Sequence, residues 1–160
     1  MNEIEEARIL GRVDRLQSAY VDCIDNDRLE SWQEFFTEEC LYRILPRESY
    51  LNGWPAGLMH CEGRGMLRDR ILSLRRANIY EPHWYRHLVS SMRLKGEEQG
   101  GWRLHTNFAI VRTMRTGEQS LFVAGFYDDV VVEQAGKLLF RERTVVLDSN
   151  RVDTLLVIPV

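Results

Sequence analysis

A chain of 160 residues with 44% apolar and 28% charged side chains has the length and composition to bury a core as one domain, residues 1–160. A formal charge of −3 gives no electrostatic reason to bind nucleic acid or an anionic membrane. No apolar run approaches the roughly 20 residues that cross a bilayer, and the acidic start Met1-Asn2-Glu3-Ile4-Glu5-Glu6 lacks the apolar stretch of a signal peptide. A cytoplasmic protein is expected.

The three cysteines, Cys23, Cys40 and Cys61, are odd in number and far apart, which fits unpaired thiols in a reducing cytoplasm better than a disulfide framework. No CxxC pair is present, and none of the three is spaced with a histidine as a zinc or iron–sulfur ligand would be.

Ile9, Val13, Leu16, Tyr20 and Ile24 recur every three or four residues with charges between them, predicting an amphipathic helix over residues 3–25. Asp27, with Glu30 three positions on, reads as the cap of a short second helix carrying Leu29, Trp32, Phe35 and Phe36. Residues 40–45 read as a short strand ended by Pro46. Between Arg47 and Gly65 glycines and prolines break every pattern, yet Tyr50, Leu51, Trp54, Leu58 and Met59 are too apolar for a solvated connector. That loop either folds back over the core or meets another subunit. Leu67, Ile71, Leu74 and Ala77 mark a third helix over residues 64–79, whose other face carries Arg64, Arg68, Arg70, Arg75 and Arg76. Such a face is either solvated or a dock for acidic groups of a partner.

Pro82 has no amide donor and disfavours helix at Glu81, so the helix should end by about Tyr80. From His83 the period becomes two: His83, Tyr85 and His87 share one strand face, Trp84, Arg86 and Leu88 the other. Four long strands are expected, over residues 83–95, 102–115, 120–134 and 137–148, joined by turns at 97–101, 116–118 and 135–137. Gly125 in mid-strand predicts a bulge or sharp bend. The apolar ending, residues 154–160, predicts a tail packed in its own domain or against a neighbour. Helices first and a meander of strands afterwards define an α+β class. A curved, mostly antiparallel sheet would curl around the N-terminal helices as a cone.

Three chemistries can be weighed on residue types. His83 and His87 would share a helical face as metal ligands, but on a strand their backbones stand about 13 Å apart, too far to share one ion easily. His83, His87 or His105, with Tyr20, Tyr85, Asp25 or Asp128, could line the cone and move a proton, histidine being suited to that near neutral pH. The alternative is that each is a hydrogen-bonded strand histidine. Nucleophilic and phosphate-binding motifs are missing: there is no G-x-S-x-G, and Gly63-Arg64-Gly65 is too short for a phosphate loop. Residue types alone thus assign no catalytic, cofactor-binding or metal residue.

Several segments, in order and spacing, resemble the small (β) subunits of aromatic-ring-hydroxylating dioxygenases, the Rieske non-haem iron oxygenases. They are Asp25-Asn26-Asp27-Arg28-Leu29-Glu30-Ser31-Trp32 followed by Phe35-Phe36-Thr37, Cys40-Leu41-Tyr42-Arg43-Ile44, Gly65-Met66-Leu67-Arg68-Asp69-Arg70-Ile71, and Ala77-Asn78-Ile79-Tyr80-Glu81-Pro82-His83-Trp84-Tyr85-Arg86-His87. Phe122-Val123-Ala124-Gly125-Phe126-Tyr127-Asp128 and the ending Asp153 to Val160 complete the set. The likeness is nearest to small subunits of oxygenases for aromatic carboxylates, terephthalate dioxygenase and salicylate 5-hydroxylase.

The resemblance implies a cystatin/NTF2-like cone and a mainly structural role beside a large α subunit in an α3β3 hexamer, with β–β self-association. It also implies hydroxylation of an aromatic compound with O2 and NAD(P)H electrons, the Rieske [2Fe–2S] cluster and the mononuclear Fe(II) being carried by α and none by this chain. Paired cysteine and histidine motifs of a Rieske site, or a two-histidine, one-carboxylate iron set, are not apparent; His60 beside Cys61 is a single pair at most. The apolar 50–59 loop, the arginine helix and the apolar tail then become candidate contacts to α and to neighbouring β chains. The alternative is a stand-alone enzyme on the same cone, resembling scytalone dehydratase or ketosteroid isomerase, with one of these histidines as base.

Overall fold

A computed structural model describes residues 1–55, 57–76, 80–151 and 158–160. The first helix, α1, spans Glu3–Asp25. Asn2 caps it, its side chain accepting the Glu5 N–H at 2.9 Å, and Glu3, Glu5 and Glu6 sit at the positive end of the helix dipole. Ile9, Val13, Gln17, Tyr20 and Ile24 form its buried stripe, the i, i+3, i+4 pattern read from the sequence with one polar residue set into it.

The next turn is a 3-10 helix, Leu29–Phe35, which buries Leu29 and Trp32. Asp27 does not cap it. Asp27 has φ of 57°, in the left-handed region, and its carboxylate accepts from Arg75 at 3.0 Å. The strong competing donor wins the side chain, and the helix starts with no side-chain cap.

Strand β1 covers Phe36–Pro46 and leads into a one-and-a-half-turn helix, α2, Arg47–Asn52, closed by Gly53 at φ of 65°. A short strand, β2, Met59–Glu62, pairs back on β1, and α3 follows over Gly63–Arg76. The segment expected as one irregular loop therefore holds a helix and an edge strand. It is too short and glycine-broken for either period to emerge in sequence. The expected last residues of α3, 77–79, lie outside the described residues.

Four strands complete the chain: β3, His83–Glu98; β4, Gly101–Met114; β5, Gln119–Gln134; and β6, Lys137–Leu147. They form an antiparallel meander, and β1 joins β6 in parallel, giving one open sheet in the order β2-β1-β6-β5-β4-β3. The β3–β4 and β5–β6 hairpins turn through Gln99–Gly100 and Ala135–Gly136, both residues of each pair at positive φ, as right-twisted two-residue hairpins require. Gly125 is no bulge. A Cβ there would clash with the Val146 carbonyl, so glycine is needed for the close approach of β6. The register slips elsewhere, at Phe122 against β4 and at Arg141 against β6.

The inner face of the sheet closes on α1, the 3-10 helix and α3 around Trp32, Phe36, Tyr42, Tyr127 and Phe140. Trp32, Phe36 and Tyr42 meet edge to face in pairs with centroids 5.0–5.9 Å apart. The described end of the tail is packed: Ile158 and Val160 are buried, and the Val160 oxygen accepts from the Tyr20 hydroxyl at 3.0 Å and the Tyr42 hydroxyl at 2.9 Å. Residues 152–157 lie outside the described residues.

Candidate functional site

Polar groups gather at three places, two inside the cone and one outside. The first is at the end of α1. Asp25, nearly buried, accepts the backbone N–H of His87 at 3.0 Å and its ring Nδ1 at 2.6 Å. A carboxylate accepts and cannot donate, so Nδ1 carries a proton in this contact. Nε2 is buried and has no hydrogen-bond partner among the described residues. Tyr85, two residues earlier on the same face, stacks on Phe122 with centroids 5.3 Å apart, and burial pushes its hydroxyl pKa up. The slip at Phe122 is what brings that ring to the inner face beside Tyr85. A cavity of about 360 Å³ opens here, lined by Asp25, Asp27, Tyr80, His83, Trp84 and Tyr85, among others. His83 stands at its rim with Nδ1 2.8 Å from the Glu81 oxygen.

Deeper in, Arg143 is fully buried and donates to both oxygens of the fully buried Asp129, from Nε at 2.9 Å and Nη2 at 2.8 Å. Gln17 ties α1 into this pair: its Oε1 accepts from Arg143 at 2.5 Å and its Nε2 donates to Asp129 at 3.1 Å. The rings of Tyr127, Phe140 and Tyr20 surround the guanidinium at 3.9, 4.0 and 4.2 Å from their centroids. Burial works against the Arg143 charge, but the Asp129 carboxylate outweighs it and holds the guanidinium protonated. The deep interior is thus a buried ion pair between aromatic rings, with Arg143 Nη1 and the Tyr127 hydroxyl buried and without a hydrogen-bond partner among the described residues.

The third cluster is on the opposite face. Asp128 accepts from Arg103 at 2.7 and 3.0 Å and from the Tyr50 hydroxyl at 2.7 Å, with His105 Nε2 at 3.4 Å. Burial raises the Asp128 pKa, but the hydrogen bonds from Arg103 and Tyr50 together outweigh it and leave it below the ordinary value. Burial lowers that of His105, Asp128 pulling against it.

The expected single lined cone is therefore split by strand parity. His87, Asp25, Tyr85 and Tyr20 face in, and His83 lies at the rim. His105 and Asp128 face out, where the His105 ring stacks on Phe126. Gln17, Asp129 and Arg143 were not singled out by sequence. The available signal was faint: Asp129 stands directly before the apolar run Val130-Val131-Val132, and Arg143 two residues before Val145-Val146.

The arginines of α3 are largely used within the chain. Arg64 donates through Nε to the carbonyls of Gln33 and Phe36, Arg68 reaches Gln33, and Arg75 grips Asp27 and Glu30. They staple α3 to the 3-10 helix, which neither a solvated face nor a partner dock anticipates. The apolar loop divides. Tyr50 packs on Phe126 and Met59 is buried, whereas Leu51, Trp54 and Leu58 stay exposed.

Among the described residues no three His, Cys, Asp or Glu side chains come together as a metal ion needs, so these residues do not fit an iron centre. No helix among them is long and apolar enough to cross a membrane.

The helices pack in a curved sheet around a buried core, while Leu51, Trp54, Trp84, Leu88 and Leu121 stay exposed, as on a subunit that another chain covers. The chain belongs to the ring-hydroxylating beta-subunit family, whose model matches residues 19–154. Among its relatives, the anthranilate 1,2-dioxygenase small subunit of Burkholderia cepacia is 41% identical over 159 residues, 99% of each chain. The terephthalate 1,2-dioxygenase terminal oxygenase component subunit beta 1 of Comamonas sp. is 38% identical over 142 residues, 89% of this chain and 92% of that one. A crystal structure assigned to the beta subunit of an aromatic-ring-hydroxylating dioxygenase from Novosphingobium aromaticivorans superposes with a TM-score of 0.86 at 33% identity, covering 96% of this chain and 99% of that chain. A protein of the same organism assigned as a scytalone dehydratase shares the fold, with a TM-score of 0.70 at 14% identity over 94% of this chain and 95% of that one.

Proposed function

We propose that this chain is the small, mainly structural subunit of the terminal oxygenase component of an aromatic-ring-hydroxylating dioxygenase. Its large α subunit would carry the Rieske [2Fe–2S] cluster and the mononuclear Fe(II) and hydroxylate an aromatic compound with O2 and electrons from NAD(P)H. The observation that carries this reading is kinship over the whole length with a dioxygenase small subunit, 41% identity over 99% of both chains. The relatives named for anthranilate and terephthalate support an aromatic carboxylate as the substrate of the assembled enzyme.

No residue of this chain is assigned a catalytic, cofactor-binding or metal role. The internal pairing of Arg143 with Asp129 and of His87 with Asp25 supports a scaffold more than a reaction chamber. An α3β3 assembly, with contacts between β chains as well, would cover Leu51, Trp54 and Leu58, which protrude from the apolar loop. One sheet running from Phe36 to Leu147 supports residues 1–160 as a single domain. The three free, buried thiols fit a reducing cytoplasm.

The test is reconstitution. The isolated chain should be colourless and inert towards aromatic acids, and adding it to the large oxygenase subunit of its own organism should restore a stable, active oxygenase. Turnover by the isolated chain, abolished by His87→Ala, would instead assign the chemistry to the cone.

A further inference from the structure

The largest exposed apolar side chains of the sheet lie together on its outer face. Trp84, Arg86 and Leu88 alternate with the buried Tyr85 and His87 on β3, so they point outward. Strand register carries that face across the sheet: Arg86 stands opposite Val111, and Val111 opposite Leu121; Leu88 stands opposite Ala109, and Ala109 opposite Ala124. Trp84, Leu88 and Leu121 are 51, 55 and 66% exposed. Ala109 and Ala124 put small side chains beside Leu88, and a groove of about 220 Å³ opens past Leu121, lined by Ala124 and Asp148 among others; that carboxylate is already held by Arg47 at 2.9 Å. Large apolar rims around small central residues make a seat for another polypeptide.

Charge says what kind. Arg86 is exposed between Trp84 and Leu88 on the edge strand and has no ion-pair or hydrogen-bond partner among the described residues. None of the outward residues in these rows, Trp84, Thr113, Gln119, Arg86, Val111, Leu121, Leu88, Ala109 or Ala124, is acidic. A second copy docked face to face about a two-fold axis would bring Arg86 towards Arg86 and supply no counter-charge. The occupant must bring the carboxylate itself.

We propose that this β3–β4–β5 face, with Arg86 at its β3 edge, is where the large oxygenase subunit docks, through an acidic side chain flanked by apolar ones. The inference rests on the small-subunit reading above and adds the surface and its chemistry.

The experiment measures association of the purified chain with the large subunit of its own organism by sedimentation, for wild type, Arg86→Glu, Leu121→Asp, the milder Leu88→Ser, and Ile4→Glu as a remote control. Circular dichroism and thermal melting of each isolated chain establish folding. Arg86→Glu and Leu121→Asp should each weaken association at least about tenfold, with Leu88→Ser in the same direction and Ile4→Glu unchanged. Folded variants that bind like wild type overturn this surface and leave the small-subunit reading intact. A wild-type chain that fails to bind overturns that reading itself. Variants that abolish self-association of the isolated chain while binding the large subunit normally assign the face to a second copy and overturn the proposal.

Discussion

His87 gives both its backbone N–H and its ring Nδ1–H to the one carboxylate of Asp25, at 3.0 and 2.6 Å. Asp25 is the last residue of α1, and β3 is an edge strand, so a single side chain ties the end of the first helix to the open side of the sheet. It also satisfies a strand N–H that faces no neighbouring strand. Asp25→Asn keeps the shape but offers one acceptor oxygen where two are used. One His87 donor is then left buried and unpaired, at a cost of about 1–3 kcal/mol. Urea unfolding should show the midpoint falling with the slope unchanged, and hydrogen exchange should quicken in the last turns of α1. Unchanged stability would mean that the contact contributes nothing.

The buried pair of Arg143 and Asp129 predicts a non-additive pattern. Removing one partner strands a charge in an apolar interior, so Asp129→Asn or Arg143→Met alone should cost about 3–5 kcal/mol. The double substitution Asp129→Leu with Arg143→Met removes both charges and should be far less harmful than the sum of the single losses. It also leaves Gln17 without both of its partners in this pair, so full recovery is not expected. A double-mutant cycle by urea denaturation reads the coupling directly; additive losses would refute it.

Acid should loosen the outer face. The Asp128 pKa in the folded chain lies below its ordinary value, because Arg103 and Tyr50 bond the charged form against the pull of burial. The unfolded chain therefore binds the proton more readily, so the stability from Asp128 is complete above about pH 4. It is lost as pH falls from there through the depressed value. Asp128→Asn should flatten the stability–pH curve in that acid window and lower stability at neutral pH. Stability measured from pH 7 to pH 3 by thermal melting checks both.

Burial raises the pKa of all three thiols, Cys23, Cys40 and Cys61. The Cys23 thiol also donates to the Arg28 oxygen at 2.9 Å. The thiolate is the reactive form, so the native chain should react slowly with an aromatic disulfide reagent at pH 8, and all three thiols should appear at once in denaturant. Rapid labelling of a thiol in the native chain would contradict their burial.

Much of this architecture was legible in sequence, because long elements repeat their period many times. The alternation from His83 to Leu88 sorted inside from outside, and the α1 stripe and the four-strand meander follow from the same kind of signal. What escaped was decided by single competing contacts. Asp27 has the spacing of a capping box, yet Arg75 arrives from another helix and takes its carboxylate. Asp128 and Asp129 are neighbours in sequence, but strand parity sends one to an outer cluster and the other into the core, with partners from distant segments. Of the candidate site, the types His87 and Asp25 were visible and their bond was not, since 62 positions separate them.

The most direct test of the small-subunit account is native mass spectrometry of this chain co-expressed with the large oxygenase subunit of its own organism, with iron counted on each separated polypeptide. The account predicts an assembly containing equal numbers of the two chains, with all iron on the large one. A large subunit that assembles without this chain, or iron bound stoichiometrically to this chain, would contradict it.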